Sequence, residues 1–294
     1  MLQDIYPHQL KNNYTRCTPD ADSLVFIYAD GHFLLSPFKE PEASLPTYTE
    51  LPDQLKVKTM QYLFMMDDKA VFSLILNKAD FLSIGWKDCP VTATIRNSPV
   101  WMPLVIITAF HLVHWYENHK FCGRCGGVLV HSIKERALEC PECRITEYPK
   151  IAPVVIVAVV YEGKLLMTHY ADRNIKPFVL IAGFVEIGEA LEEAARREVM
   201  EEVGLRIKDL QYFGSQPWGL SDSLATGFFA TAEYKAPIIL EQEELTDARW
   251  FTPQDLPHEL DNGSLTAAMI DAFRNKIYGK RQIRTCSEIF GVLL

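Results

Sequence analysis

The chain has 294 residues, 48% of them hydrophobic, which excludes a disordered polymer and allows two or three packed units. With 29 Lys and Arg against 38 Asp and Glu the formal charge is -9, so no overall basic field exists to hold nucleic acid, and any such contact needs a local patch. The opening MLQDIYPHQLKNNYTR lacks the basic-then-apolar order of a secretion signal, and the apolar runs Val154 to Tyr161 and Pro103 to Ile107 are too short to span a bilayer, which predicts a cytoplasmic protein.

In chain order, DSLVFIYADGHFLLSP and QYLFMMDDKAVFSLIL alternate apolar residues on both sides of a turn, at Ala29-Asp30-Gly31 and Asp67-Asp68-Lys69. This predicts two hairpins in an N-terminal β-rich unit. Between them, KEPEASLPTYTELPDQ has no periodicity and is expected as a loop. Val105 to Phe121 carries apolar residues at helical spacing and predicts a connecting helix, with His111, His114 and His119 as surface or packing side chains. From Pro153 the pattern becomes strand, turn at Gly163, strand, glycine loop, helix, three strands and a last helix from about Ser264 to Tyr278, a mixed α/β order. The expected division is 1–118, a β-rich domain with its helix, 119–150, a cysteine-bearing ribbon, and 151–294, a mixed α/β domain.

Seven cysteines are an odd number, and Cys17, Cys89 and Cys286 stand alone, which suits buried thiols in a reducing compartment. The other four form Cys122-Gly-Arg-Cys125 and Cys140-Pro-Glu-Cys143. Two such pairs can close a tetrahedron of thiolates around one Zn²⁺ and leave no open position for substrate, so the site is expected to be structural.

Glu189 to Val203 is rich in helix formers, follows a loop containing Gly183 and Gly188, and stops at Gly204. On that helix Glu198, Glu201 and Glu202 stand at i, i+3 and i+4, so three carboxylates share a face. Like charges so placed cost ~0.2–0.5 kcal/mol per pair, and no Lys or Arg follows Glu198 at i+4. Mg²⁺ or Mn²⁺ is the natural counter-charge for clustered carboxylate oxygens, and also what a pyrophosphate needs for neutralisation and orientation.

The run GFVEIGEALEEAARREVMEEVGL, Gly183 to Leu205, resembles the Nudix signature without a departure. The four-cysteine ribbon just before it, YPKIAPVVIVAV, LIAGFVEIGE and Ser215-Gln216-Pro217-Trp218 resemble the NADH pyrophosphatase branch of that family. The resemblance runs from about Cys122 to the last helix. It implies an α/β/α sandwich for the C-terminal domain, a homodimer, and hydrolysis of the pyrophosphate of NADH or NAD⁺ to AMP and the nicotinamide mononucleotide. Removal of NAD caps from RNA is the same reaction on a larger substrate. Another substrate such as ADP-ribose, or a nucleotide-sensing regulator without activity, is the alternative.

Carried over position by position, the resemblance assigns the divalent ions to Glu198, Glu202, the carbonyl of Ala182 and a third carboxylate in EELTDARW, Glu244 ahead of Glu243. Glu201 is the candidate base. Glu189 and Arg197 look like the pair that ties loop to helix, with Arg197 as a substrate-binding group the alternative. Phe184 would stack on the nicotinamide, Glu135 and Tyr148 would contact substrate, and Gln216, Pro217, Trp218, Ser223 and Thr266 would line the nucleotide site. One stretch departs: where the family continues Pro-Phe-Pro, a variable residue and Ser, this chain has Gly219-Leu220-Ser221-Asp222-Ser223. Without two prolines and a phenylalanine the loop is expected to be freer, with Asp222 adding a negative charge near an anionic substrate.

Overall fold

A computed structural model describes residues 1–39, 42–93, 98–171, 178–234, 237–256 and 263–276. By contact they fall into two compact units: Leu2–Ile151 together with Pro217–Ser223, and Ala152–Gln216 with Met1 and the described residues from Leu224 onward.

The first unit contains β1 (Leu10–Lys11), β2 (Leu24–Ala29), β3 (His32–Leu34), α1 (Asp53–Lys56), β4 (Gln61–Met66), β5 (Lys69–Ile75), α2 (Lys78–Ser83), β6 (Asp88–Pro90) and α3 (Met102–Asn118). Its sheet runs β1-β4-β5-β2-β3-β6. Both expected hairpins form. The β2–β3 turn places Asp30 at φ 47 and Gly31 at φ 79, the left-handed pair that a tight two-residue hairpin requires and that Asp-Gly accepts readily. The parallel pairing of β2 with β5, Leu24↔Val71 through Tyr28↔Ile75, joins the hairpins.

β2 is buried at every residue because both its faces are covered. Phe26 and Tyr28 pack with Val105, Ala109 and Leu112 of α3, while Val25 and Ile27 meet Leu51, Leu55 and Phe81 on the opposite side. The segment expected as a loop contains the short helical turn Tyr48–Glu50 and then α1. Glu50 starts that turn by accepting the Thr47 N–H at 2.8 Å, local polar chemistry that leaves no apolar period to read. Helix α3 begins before Val105 because Pro103 is accommodated in its first turn, where a missing N–H loses no hydrogen bond.

The ribbon strands β7 (Val130–His131), β8 (Leu138–Glu139) and β9 (Thr146–Glu147) form a separate antiparallel sheet. Trp115 at the end of α3 packs into it against Cys122, Leu129, Leu138 and Cys140, and Tyr14 Oη donates to the Ser132 carbonyl at 3.2 Å. Ribbon and N-terminal sheet thus belong to one unit.

The second unit contains β10 (Ala152–Tyr161), β11 (Lys164–Tyr170), β12 (Ile181–Phe184), α4 (Leu191–Val203), β13 (Ile207–Trp218), β14 (Ser223–Ala232), β15 (Leu245–Phe251) and α5 (Leu265–Arg274). Its sheet runs β13-β14-β10-β11-β15, with β12 also on β10. Alternate residues of β10 serve different helices. Val155, Val157 and Val159 pack on Ala194, Ala195, Val199 and Val203 of α4, whereas Ile156 and Ala158 meet Met269, Ile270 and Phe273 of α5. This is the expected α/β/α sandwich. Ser264 caps α5 by accepting the Ala267 N–H at 3.1 Å, while Tyr278 and Cys286 lie outside the described residues. Among the described residues no helix is long and apolar enough to cross a membrane.

Candidate functional site

Helix α4 presents its acidic face to β12. Glu202 is 2% exposed and Glu198 9%, while Glu201 faces solvent. β12 reaches this face through its pairing with β10, Val155↔Gly183 and Ile156↔Ala182. A Cβ on Gly183 would lie 1.9 to 2.2 Å from the Glu198 carboxyl atoms, so glycine lets the strand pass over that side chain without displacing it.

Arg197 organises the surrounding loop. Its Nε donates to Glu189 Oε1 at 2.7 Å and its Nη2 to Glu189 Oε2 at 2.9 Å, a two-pronged pair that also reaches the Phe184 carbonyl at 2.9 Å. Its Nη1 donates to Glu198 Oε1 at 2.7 Å and Glu201 Oε2 at 2.9 Å. A guanidinium has five N–H donors, and all five are used within the protein, which favours the tether over the substrate-binding alternative. Looking for a cation four residues beyond Glu198 overlooked this partner, which precedes Glu198 by one residue and Glu201 by four.

The charges respond accordingly. The Arg197 guanidinium and the Glu186 N–H hold the Glu189 carboxyl down to about 2. Burial pushes Glu198 up; Arg197 opposes this, and the charges of Glu201 and Glu244 add to it. Glu244 is thus among the charges that act on Glu198. The Ala182 carbonyl, on the same strand as Gly183, accepts the Tyr170 hydroxyl at 3.4 Å. These oxygen donors fit a hard divalent cation.

In the ribbon, the sulfurs of Cys122, Cys125, Cys140 and Cys143 all lie within 4.8 Å of one another. Cys122–Cys143 is 3.4 Å and Cys125–Cys140 3.5 Å. The Arg124 N–H donates to Cys122 Sγ at 3.4 Å and the Cys143 N–H to Cys140 Sγ at 3.5 Å, bonds that stabilise thiolates at both knuckles. Four converging sulfurs with these N–H bonds suit a structural zinc ion.

The remaining expected residues are distributed over both units. Phe184 is 54% exposed at the end of β12, its ring offered to solvent. Gln216 is buried and Thr266, on α5, half-buried. In the first unit, Tyr148 Oη donates to Glu135 Oε1 at 2.9 Å. Pro217 is exposed, Trp218 half-buried, and Ser223 buried, with its Oγ 2.8 Å from Ser221 Oγ.

The departing segment is packed, contrary to the expectation of a freer loop. Gly219–Ser221 forms a turn of 3₁₀ helix, and a Cβ on Gly219 would lie 2.1 Å from the Ile107 carbonyl of α3. Asp222 is not a free charge either, since Oδ2 accepts His114 Nδ1–H at 2.9 Å. Neither contact had a signal in the sequence, where the partners are more than a hundred residues apart.

The NUDIX domain family matches residues 150–272 and the NADH pyrophosphatase zinc ribbon domain family residues 117–148. Curated relatives from Salmonella agona and Salmonella paratyphi B, each described as NAD-capped RNA hydrolase NudC, are 41% identical over 161 residues, covering 54% of this chain and 62% of theirs. The chain thus matches less than two thirds of the length of these relatives. A NUDIX hydrolase structure from Nitrosomonas europaea aligns with TM-score 0.45 and 22% identity, covering 54% of this chain and 93% of that one. The chain contains a NUDIX domain preceded by an NADH pyrophosphatase zinc ribbon.

Proposed function

We propose that the chain hydrolyses the pyrophosphate of NADH or NAD⁺, releasing AMP and the nicotinamide mononucleotide, and removes NAD caps from RNA by the same reaction. The carrying observation is the α4 face itself: Glu198 beneath the Gly183 backbone and Glu202 buried one turn further along, with Arg197 fixing the loop. The names of the relatives and of the ribbon family support the choice of substrate.

Glu198, Glu202, Glu244 and the Ala182 carbonyl would hold Mg²⁺ or Mn²⁺, which when bound neutralises the pyrophosphate and polarises it for attack. Glu201, the exposed carboxylate, accepts a proton from the attacking water, with Arg197 setting its orientation. Phe184 offers a face for the nicotinamide. Glu135, Tyr148, Gln216, Pro217, Trp218, Ser223 and Thr266 serve substrate recognition. In this reading 119–150 is a structural zinc ribbon, 151–294 the catalytic domain and 1–118 a β-rich support. The protein acts in the cytoplasm, which suits its free Cys17 and Cys89, and works as a homodimer.

The test is hydrolysis of NADH, NAD⁺, ADP-ribose, diadenosine polyphosphates and NAD-capped RNA with Mg²⁺ or Mn²⁺, products separated. NADH or NAD⁺ should yield AMP, and Glu202→Gln should abolish turnover. Exclusive cleavage of ADP-ribose, or no cleavage of any compound, overturns the reading.

A further inference from the structure

Three ionisable side chains outside the metal face meet in the first unit. Asp222 has a left-handed backbone, φ 52, at the end of the Gly219–Ser221 turn, directing its carboxylate to α3. Oδ2 accepts His114 Nδ1–H at 2.9 Å. Oδ1 is buried, has no hydrogen-bond partner among the described residues, and lies 3.6 Å from His111 Nε2. That nitrogen is 2.8 Å from the Lys150 carbonyl, and a carbonyl only accepts, so Nε2 carries the proton. One N–H therefore stands between two acceptors, Lys150 O and Asp222 Oδ1.

The backbone beside this trio is equally constrained. Gly219 lies directly against the Ile107 carbonyl and His111 Cβ, Leu220 packs with the α3 cluster, and Ser223 Oγ donates to the Trp218 carbonyl at 3.4 Å. The segment Pro217–Ser223 is thus fastened to one face of α3 by close backbone packing and by one carboxylate bonded to His114 and 3.6 Å from His111. Phe110 stacks on His114 at 5.5 Å and shields one side of its ring from water. The nearby charged groups are already engaged: Lys150 Nζ by Glu147 at 2.9 Å, and Glu117, one turn along α3, by Lys120 at 3.3 Å.

We propose that His111 and His114, acting through Asp222, are positioning residues that clasp Pro217–Ser223 for dinucleotide binding, an inference that rests on the function proposed above. His114 grips the carboxylate by a hydrogen bond at 2.9 Å, and His111 stands 3.6 Å from its other oxygen. Since neither histidine nor Asp222 is assigned to the reacting atoms, the effect belongs in KM.

The experiment combines kinetics on NADH with hydrogen exchange of the peptide covering Pro217–Ser223 in the wild type, Asp222→Ala, His114→Ala and His114→Asn. The Asn variant keeps a donor close to the Nδ1 position. Expected are a KM rise of about tenfold with kcat within about twofold in both alanine variants, lost exchange protection of the segment, and recovery of both in His114→Asn. Unchanged protection in the alanine variants refutes the clasp, and lost protection with unchanged KM refutes its role in binding. If the wild type cleaves no dinucleotide, the functional reading fails, and the exchange measurement still decides whether the clasp exists.

Discussion

Replacing Gly183 by alanine separates folding from catalysis at this site. The new Cβ would lie 1.9 Å from Glu198 Cδ, about 1.5 Å short of the 3.4 Å of ordinary contact, so one group must move by that amount. β12 is held by four register pairs with β10, whereas Glu198 is one side chain ending in a rotatable carboxylate, so the side chain yields. Its displacement breaks the 2.7 Å bond to Arg197, a charge-assisted bond for which about 1–2 kcal/mol is a reasonable stability loss, hence a few degrees in Tm. Activity should respond much more strongly, because a misplacement of about 1 Å in a catalytic group can reduce turnover ~10²-fold. The assay is kcat/KM on NADH with Mn²⁺ beside a melting curve. A variant that retains kcat/KM within about threefold refutes the argument that Gly183 exists to admit the Glu198 carboxylate.

Three further outcomes follow from the geometry. Phe184→Ala should raise KM for NADH about tenfold and leave Tm unchanged, since the ring is already half-exposed and its loss removes ~1–1.5 kcal/mol of stacking. Zinc removal by a chelator, or Cys140→Ser, should lower Tm by about 10 °C and shift Trp115 fluorescence, because the metal cross-links the strands that bury that indole; an unaltered melt contradicts a structural role. Glu189 titrates well below its ordinary value of 4.5, near 2, so its ion pair stabilises the folded loop above pH 4.5 and that contribution disappears as pH falls toward 2. Exchange protection at Glu186 and Glu189 should decline across that acid window in the wild type and be absent at every pH in Arg197→Ala.

Much of the architecture was legible because it depends on local periodicity. β10 alternates apolar side chains toward α4 and α5, and the Asp30-Gly31 and Asp67-Asp68 turns announce their hairpins. The α4 carboxylates and the four ribbon cysteines were equally readable, since residue spacing along a helix or a knuckle fixes which side chains share a face, while the Glu189–Arg197 tether came from the resemblance to the Nudix signature. The short helical turns within 42–56 were not, because the Tyr48–Glu50 turn is started by a local polar contact that leaves no hydrophobic period.

What the sequence alone determined is therefore the identity of the sandwich, the ribbon and the acidic helix face. Only the tertiary structure decided where Arg197 spends its donors, how closely β12 crosses Glu198, and how β2 and β5 pair in parallel. The same holds for Gly219 to Ser223, expected to be loose from its lost prolines and instead fastened to α3 by Asp222 and the Gly219 backbone. The physical reason is common to all of them. Each depends on a through-space approach between segments distant in sequence, and composition or periodicity records the chemistry of each partner but not the distance that brings them together.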